Sequence, residues 1–236
     1  MLVARDAVNG TRFLDRRDGR LRIKICCIAS IEEAQMALDA GADAVGLVSA
    51  MPSGPGVIGD ALIAEIIDWV GSRAATVLLT SRLTAASISE QLQRALPTVI
   101  QLVDTLPVDE LTGLRAQHSD VMVMPVIHVQ SADSIAEAVR LGPVADALLL
   151  DSGNPTAIVK ELGGTGRTHD WMLSRAICQA TRIPVFLAGG LRADNVAAAV
   201  RTTRPFGVDV CSGVRRDGRL NEQRLTAFIT EVRAAQ

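Results

Sequence analysis

The chain has 236 residues and a formal net charge of −2, which gives no electrostatic reason to expect a nucleic-acid partner. Aromatic residues make up only 3% of the sequence, and tyrosine is absent, so a base-stacking surface is not expected either. No apolar run has the length of a membrane span or of a signal peptide, and we therefore expect a cytoplasmic protein without a membrane partner.

From residue 21 onward, short β-branched runs alternate with longer amphipathic stretches. The predicted strands cover residues 21–27, 43–49, 75–80, 98–103, 121–129, 146–151, 184–189 and 207–212. The first predicted helix lies within 30–41, where Ser30 and Glu33 have the spacing of a capping box and Gly41 is a typical helix end. Strands joined through helices run parallel, because only a crossover of that length returns the chain to the same end of the sheet.

Eight consecutive strand–helix units predict a single closed (β/α)8 TIM barrel over residues 21–236. The competing architecture is a doubly wound open sheet. Such a sheet normally carries a glycine-rich fingerprint after its first strand, where this chain reads CCIAS. Residues 1–20 lie outside the repeat, and we expect them to form an exposed or loosely packed N-terminal extension.

The residues of the first strand, LRIKICC, alternate between two faces. The outer face of such a barrel packs on helices and is apolar, so Arg22, Lys24 and Cys26 are predicted to face the lumen. Cys26 is then at the C-terminal mouth, where barrels of this kind place their active sites. Cys27 belongs to the apolar set and is predicted to pack outward. The same alternation puts Asp151 at the mouth end of strand six, so Cys26 and Asp151 are expected to share one cavity.

Glycine-rich turns follow strands six, seven and eight, as GGTGRTHDW (163–171), AGGLRADN (188–195) and CSGV (211–214). Glycine lets main-chain N–H groups approach a ligand closely, and phosphate sites in this fold lie behind strands seven and eight. Ordinary tight turns are the alternative interpretation. The predicted phosphate- or substrate-binding residues are Gly164, Gly166, Gly189, Gly190, Ser212, Gly213 and Lys24.

The chain resembles the phosphoribosylanthranilate isomerase family in five segments. These segments are KICC (24–27), AGADAVGLV (40–48), LLLDSGNPTAIVKELGGTGRTHDW (148–171), PVFLAGGLRADNVAAAV (184–200) and GVDVCSGV (207–214). The corresponding family patterns include a KICG-type first strand, a GGTG(K/R)TFDW loop and a GVDVSSGV end. The resemblance runs from about residue 21 to the C-terminus and is sparse between 50 and 145.

This resemblance implies an enzyme of tryptophan biosynthesis that catalyses an Amadori rearrangement, an intramolecular oxidoreduction of a phosphorylated aldose amine to a 1-amino-1-deoxyketose. In the family the KICG cysteine is the general base and the LLD aspartate is the general acid, and these positions are Cys26 and Asp151 here. Lys24 could lower the pKa of the Cys26 thiol. The implied partner is a small phosphorylated sugar, no metal or organic cofactor is required, and the protein is a monomer or a homodimer.

Two departures from the family concern the residues that contact the aromatic acid. Pro55 stands where a KSPRY-like loop carries the arginine that holds the anthranilate carboxylate, and Val103 stands where the family has histidine. Arg82 and Arg215 are candidates for a replacement cation. The departures leave open an isomerase with a rebuilt anthranilate pocket, a paralogue acting on another phosphorylated sugar amine, or a binding protein that retains only the phosphate site.

Further departures involve cysteine and histidine. Cys211 replaces a serine of the family, and strand eight neighbours strand one in a closed barrel, so an oxidisable pair with Cys26 or Cys27 is a hypothesis. Cys178 is expected to be inert packing. His169 replaces a phenylalanine, and we interpret it as a surface or capping residue, or as a residue lining the aromatic pocket. The four cysteines include no CxxC pair and the histidines lack zinc-ligand spacing, so no metal site is predicted.

Overall fold

A computed structural model describes residues 13–153 and 166–236 of the chain. The barrel strands are β1 (Arg22–Ile25), β2 (Ala44–Val48), β3 (Ala75–Thr80), β4 (Val99–Leu102), β5 (Met122–His128), β6 (Leu148–Asp151), β7 (Val185–Leu187) and β8 (Gly207–Val210). The helices are α1 (Ile31–Asp39), α2 (Asp60–Val70), α3 (Ala85–Leu92), α4 (Val108–Gln117), α5 (Asp133–Leu141), α6 (Trp171–Ala180), α7 (Val196–Thr203) and α8 (Glu222–Ala234). A short antiparallel pair, β9 (Arg215–Arg216) and β10 (Arg219–Leu220), precedes α8.

The eight barrel strands pair in sequence order, and β1 closes the barrel by pairing in parallel with β8. The predicted (β/α)8 barrel is therefore confirmed, and the doubly wound open sheet is excluded. The strand predicted over 75–80 is observed with those bounds. The other strands are shorter than predicted, because residues at one or both ends of each apolar run already belong to the loops at the barrel ends.

Helix α1 begins at the predicted cap, Ser30. The Glu33 N–H donates to Ser30 Oγ at 3.2 Å, as in a capping box. The Glu33 carboxylate accepts from the Ala29 N–H at 3.0 Å, so the returning bond reaches one residue further back than predicted. Gly41 has φ of +97°, a backbone conformation that favours glycine, and it follows the last turn of the helix.

The apolar residues form two layers separated by the barrel wall. Ile23 and Ile25 belong to the outer layer, between the strands and the helices, whereas Cys26 belongs to an inner cluster with Leu149 and Phe186. The predicted alternation is thus confirmed for Ile23, Ile25 and Cys26. Because complete burial of an isoleucine or leucine side chain contributes about 1.5–3 kcal/mol, the outer layer is the main source of stability.

The segment before β1 closes the N-terminal end of the barrel. Phe13 is 4% exposed, and its ring stacks on that of Phe186 with 5.3 Å between the ring centroids. The buried Arg22 holds this segment through bonds to the carbonyl oxygens of Phe13 (3.0 Å) and Asp15 (2.8 Å). Phe13 thus departs from the expectation of an exposed or loosely packed extension, whereas residues 16–20 are exposed.

None of the helices within residues 13–153 and 166–236 has both the length and the apolar character that crossing a membrane requires. In the same ranges, no three side chains of the histidine, cysteine, aspartate and glutamate type are grouped to hold a metal ion.

Candidate active site

A cavity with about 640 Å³ of empty volume opens among the residues at the C-terminal ends of the strands. The predicted site residues that line it are Cys26, Asp151, Gly166, Gly189, Gly190 and Ser212. Two others lie just outside the lining: Lys24 is below the cavity, and Gly213 is packed behind it. Gly164 lies outside the described residues.

Cys26 follows β1 directly, and its position is set by the pairing of β1 with β8. Its N–H donates to the Val210 carbonyl at 2.8 Å, which continues the parallel ladder by one residue. A hydrogen bond from the Cys27 thiol lowers the pKa of Cys26; burial opposes this shift, and the ammonium group of Lys24 supports it. The arrangement favours the thiolate that a cysteine base requires.

Lys24 is fully buried, and its Nζ donates to Asp209 Oδ1 at 2.8 Å. Burial by itself would lower the pKa of Lys24, but the Asp209 carboxylate and the neighbouring Cys26 raise it above its ordinary value. A Cβ on Gly46 would lie 2.9 Å from Cys26 Sγ and 3.1 Å from Lys24 Nζ, so glycine at this position of β2 makes room for both groups. Lys24 therefore acts on Cys26 from below and does not reach the cavity itself.

Cys27 does not pack outward against the helices, as alternation predicted. It lines the cavity and belongs to the inner cluster with Cys26. The reason is its backbone, because β1 ends at Ile25 and Cys27 has φ of +63°, in the left-handed region. This turn breaks the alternation and carries the Cys27 side chain to the mouth, at a position where the family pattern has glycine.

Asp151 is the last residue of β6, and its carboxyl group lines the cavity while being 8% exposed. Its Oδ1 accepts from the Ser152 N–H at 2.7 Å. Burial raises the pKa of Asp151, and the bond from Ser152 and the nearby His128 only partly offset this effect. A carboxyl group with a raised pKa can remain protonated and serve as a general acid.

His169 is half-buried beside Asp151, and it is not an exposed capping residue. Its Nε2 lies 2.7 Å from Ser174 Oγ, and burial lowers the pKa of His169 to about 4, so the imidazole is neutral above that pH. A Cβ on Gly189 would lie 3.0 Å from His169 Nδ1 and 3.2 Å from Asp151 Oδ1. The imidazole thus helps to enclose the carboxyl group, whereas the helix cap itself is Asp170.

The glycine turns after β6, β7 and β8 contact one another closely. Gly190 has φ of +61°, and a Cβ there would lie 2.6 Å from the main chain of Arg167. A Cβ on Gly213 would lie 2.0 Å from the Leu191 carbonyl oxygen. Only glycine allows this approach, so the three turns form one continuous main-chain surface beside Ser212.

Arg215 connects the turn after β8 to the end of β1. Its guanidinium group donates to both Glu33 carboxylate oxygens at 3.0 Å and to the carbonyl oxygens of Cys26 (3.3 Å) and Cys27. We name this arrangement of Arg215, Glu33 and the two carbonyl groups the arginine clamp. Arg215 is therefore engaged in positioning the main chain of the base and is not available as the replacement cation.

The opposite side of the cavity is mostly apolar. It is lined by Val48, Met51, Ser53, Gly54, Pro55, Leu79, Gln101 and Val103. Among the residues described, no lysine or arginine lines the cavity. Arg82, the other candidate for a replacement cation, is therefore not part of the lining. The positions where the family has arginine and histidine are thus occupied here by an exposed proline and a buried valine.

Several lining residues were not predicted as site residues. Gln101 faces the cavity from β4, and its buried Oε1 has no partner among the described residues. Gln101 and Val103 are two positions apart, so they lie on the same face of the strand run. Since Val103 was already placed at the site, a polar side chain in the lumen could have been predicted at Gln101. Asp209 could have been identified in the same way from β8. Neither the role of Gly46 nor the arginine clamp could be recognised from a local sequence pattern, because both depend on contacts between distant parts of the chain.

The comparisons with known proteins agree with this geometry. Residues 23–231 match the family model described as N-(5'phosphoribosyl)anthranilate (PRA) isomerase. The chain is 35% identical over 216 residues to N-(5'-phosphoribosyl)anthranilate isomerase of Methanocella arvoryzae, covering 91% of this chain and 99% of that protein. It is 38% identical over 210 residues to the enzyme of the same name from Halorubrum lacusprofundi, covering 88% of this chain and 94% of that protein.

Among solved structures, phosphoribosyl anthranilate isomerase from Thermotoga maritima matches with a TM-score of 0.78 and 26% sequence identity. The match covers 91% of this chain and 100% of that chain. A thiamine phosphate pyrophosphorylase from Pyrococcus furiosus matches with a TM-score of 0.63 at 19% identity, which is a similarity of fold alone.

Proposed function

Because the chain belongs to the N-(5'-phosphoribosyl)anthranilate isomerase family, we propose that it catalyses the Amadori rearrangement of N-(5'-phosphoribosyl)anthranilate in tryptophan biosynthesis. This reaction is an intramolecular oxidoreduction, in which an aldose amine becomes a 1-amino-1-deoxyketose. The observation that carries the proposal is that Cys26 and Asp151, from the non-adjacent strands β1 and β6, line one cavity beside the glycine turns.

Asp151 acts first, as the general acid. It protonates the ring oxygen of the ribose while the bond between C1 and that oxygen breaks. The lone pair of the substrate nitrogen forms a double bond to C1, which gives a protonated Schiff base. The buried setting that raises the pKa of Asp151 supports this role, because the carboxyl group must be protonated when the substrate binds.

Cys26 acts second, as the general base. Its thiolate removes the proton from C2, the electrons of that C–H bond form a double bond between C1 and C2, and the electrons of the Schiff base return to nitrogen. The resulting enaminol tautomerises to the ketone. The Cys27 thiol and the Lys24 ammonium group, which lower the pKa of Cys26, support the assignment. These two proton transfers need no metal or organic cofactor.

The glycine turns hold the substrate phosphate in this proposal. Gly166, Gly189, Gly190 and Ser212 line the same end of the cavity, and Gly213 contributes main chain behind them. Residues 21–236 act as one barrel domain on a small phosphorylated sugar. The proposal includes a cytoplasmic location and a monomeric or homodimeric state.

The test is turnover of N-(5'-phosphoribosyl)anthranilate, followed by the loss of its anthranilate fluorescence. We expect the unmodified protein to turn the substrate over and Cys26→Ala or Asp151→Asn to lower kcat by about 10²-fold or more. Affinity for inorganic phosphate should persist in both variants, because neither residue belongs to the glycine turns. Cys178→Ala, in α6 and away from the cavity, is the matched control for loss of a cysteine.

Full activity in both site variants would show that the acid and base are assigned wrongly. Absence of turnover in the unmodified protein, together with binding of other phosphorylated sugars, would instead favour a paralogue or a binding protein. The apolar side of the cavity, with Pro55 and Val103 at two family positions, is the observation that keeps this second candidate in the test.

A further inference from the structure

Three of the four cysteines of the chain meet at the active-site cavity. Cys26, Cys27 and Cys211 all line it, and Cys211 packs against the inner cluster that contains the other two. All four cysteines are free thiols, and the fourth, Cys178, packs against the outer layer instead. The chain therefore contains a group of three neighbouring thiols and one separate thiol that can serve as a control.

The pairing of β1 with β8 brings the three thiols together. Ile25 is the register partner of Val210, and the next residues along the two strands are Cys26 and Cys211. Neighbouring strands lie about 4.8 Å apart, which is within the range of Cα separations that a disulfide spans. A thiol on the residues that directly follow β1 thus lies close to Cys211.

Cys27 stands between the other two thiols. A Cβ on Gly56 would lie 2.5 Å from Cys27 Cβ and 3.2 Å from its Sγ, so the Cys27 side chain occupies the space that a side chain at position 56 would need. The Cys27 thiol lies beside Cys26 and Cys211 in the cavity lining, and the two neighbouring thiols together with burial raise the pKa of Cys27. Cys27 therefore contacts the base on one side and Cys211 on the other.

The surroundings of Cys26 make it the thiol that an oxidant attacks first. Lys24 supports its thiolate from below, and the arginine clamp brings a second cation to its carbonyl group. Thiolates react with peroxides much faster than thiols do, and the cavity gives a small oxidant a route to the sulfur. Unprotected oxidation would proceed past the sulfenic acid to an irreversible state.

We propose that Cys27 and Cys211 form a resolving pair, which takes the oxidising equivalent from Cys26 and stores it as a Cys27–Cys211 disulfide. The base is thereby regenerated as a thiol. The inference rests on the proposed function only in naming Cys26 as the base, since the thiol chemistry does not require turnover.

The reaction balances in three steps with hydrogen peroxide as the oxidant. The Cys26 thiolate attacks the peroxide and becomes a sulfenic acid, while the O–O bond breaks and one water leaves after protonation. Cys27 sulfur attacks the Cys26 sulfur, and a second water leaves. Cys211 sulfur then attacks Cys27 sulfur and releases Cys26 as a thiol. In sum, two thiols and one peroxide give one disulfide and two waters.

The third step is favoured by the spacing of the chain. Adjacent residues have Cα atoms about 3.8 Å apart, which is shorter than the usual separation in a disulfide, so a Cys26–Cys27 bond is strained and open to exchange. The link from Cys27 to Cys211 joins the segments that follow two different strands and avoids the strain of bonding adjacent residues. The oxidised protein is therefore expected to accumulate the Cys27–Cys211 bond.

The experiment treats the full chain with one equivalent of hydrogen peroxide, alkylates the remaining thiols, and maps the peptides without reduction. We expect a Cys27–Cys211 disulfide with Cys26 and Cys178 alkylated. Cys27→Gly, which restores the family residue, should instead carry sulfinic acid on Cys26 after a second equivalent of peroxide, whereas Cys211→Ser should stop at the Cys26–Cys27 disulfide. Cys178→Ser should give the same disulfide as the unmodified protein.

Activity provides the second measurement, with each variant compared with its own untreated sample. After peroxide and then a thiol reductant, the unmodified protein and Cys178→Ser should recover their activity, whereas Cys27→Gly should recover at least about twofold less. Sulfinic acid on Cys26 in the unmodified protein, or a disulfide that does not involve Cys27 and Cys211, would overturn the inference. A mapped Cys27–Cys211 disulfide in a protein without turnover would uphold it and count against the proposed function alone.

Discussion

The two sides of the cavity are built differently. The side formed by β6, β7, β8 and β1 carries Cys26, Asp151 and the glycine turns, and there the sequence follows the family patterns closely. The side formed by β2, β3 and β4 is mostly apolar, with Pro55 and Val103 at two family positions. Groups on the first side are positioned by strand ends and by main-chain contacts, whereas Pro55 belongs to a loop.

This difference indicates how far the sequence of each side can change without loss of the fold. Lys24 and Asp209 are register partners in β1 and β8, and the Cys26 N–H continues that ladder, so the main chain at these positions is fixed by the barrel wall. The loop after β2 returns to its strand through a bridge between Val48 and Val57 and is tied to β3 by the bond from the Ser49 N–H to the Leu79 carbonyl oxygen, whereas Pro52 and Pro55 within it are exposed. Substitutions in that loop can therefore alter substrate contacts while leaving the fold intact.

The largest expected effect comes from breaking the buried pair beneath the base. Lys24→Met leaves the Asp209 carboxyl group buried without its partner, and we expect the free energy of unfolding to fall by about 3–5 kcal/mol. Urea unfolding measures this change. The control is Arg94→Met, whose ion pair with Asp60 is exposed and should contribute at most about 1 kcal/mol. Equal losses in the two variants would show that the first side is no more constrained than the surface.

The next largest effect is expected at Gly189, whose main chain packs against the Asp151 carboxyl group. Gly189→Ala places a Cβ against His169 Nδ1 and Asp151 Oδ1 at a φ of +81°, so we expect kcat to fall roughly 10- to 100-fold. Gly41→Ala is the control, since its φ is +97° and nothing lies within 4 Å of its Cβ position. Both variants should lose about 1–3 kcal/mol of stability, and only the first should lose activity. Equal activity in the two would contradict the tight packing at this turn.

The smallest effect is expected on the apolar side. Pro55→Arg restores the family cation in an exposed loop, and we expect about a tenfold lower KM for N-(5'-phosphoribosyl)anthranilate, near the lower limit for a charge-assisted hydrogen bond. The value of kcat should not change, because the acid and base are untouched. Pro52→Arg is the control, since Pro52 is exposed in the same loop but does not line the cavity. A similar fall in KM for both variants would indicate general attraction of the anion instead of a specific contact.

Most of the fold could be predicted from the sequence because each strand–helix unit carries its own hydrophobic pattern. Alternation along β1 and β6 was sufficient to bring Cys26 and Asp151 to one mouth, since strand residues follow a period of two. The same rule failed at Cys27, where the strand had already ended and the backbone enters the left-handed region. Phe13 was also missed, because a single apolar residue outside the repeat gives no periodic signal.

The residues that tune the site were less accessible from the sequence. Lys24 was assigned to the substrate, yet its charge is matched by Asp209, which is 185 positions away in the chain. Arg215 was considered as a cation for the substrate carboxylate, yet its guanidinium group forms an ion pair with Glu33 of α1. Such partners are determined by barrel closure, and no local pattern in a single sequence records which distant side chain will face another.

The ion pair between Lys24 and Asp209 also bears on how the chain folds. It joins the first strand to the last, so a partly formed barrel with seven strands leaves the ammonium group in the lumen without its carboxylate. Burying an unpaired charge is costly, and such an intermediate must keep its lumen hydrated. Closure by β8 then allows water to leave at the same time as the ladder is completed. Assembly of the barrel is therefore expected to be cooperative at its final seam, and a nascent chain cannot complete the site until its last strand is available.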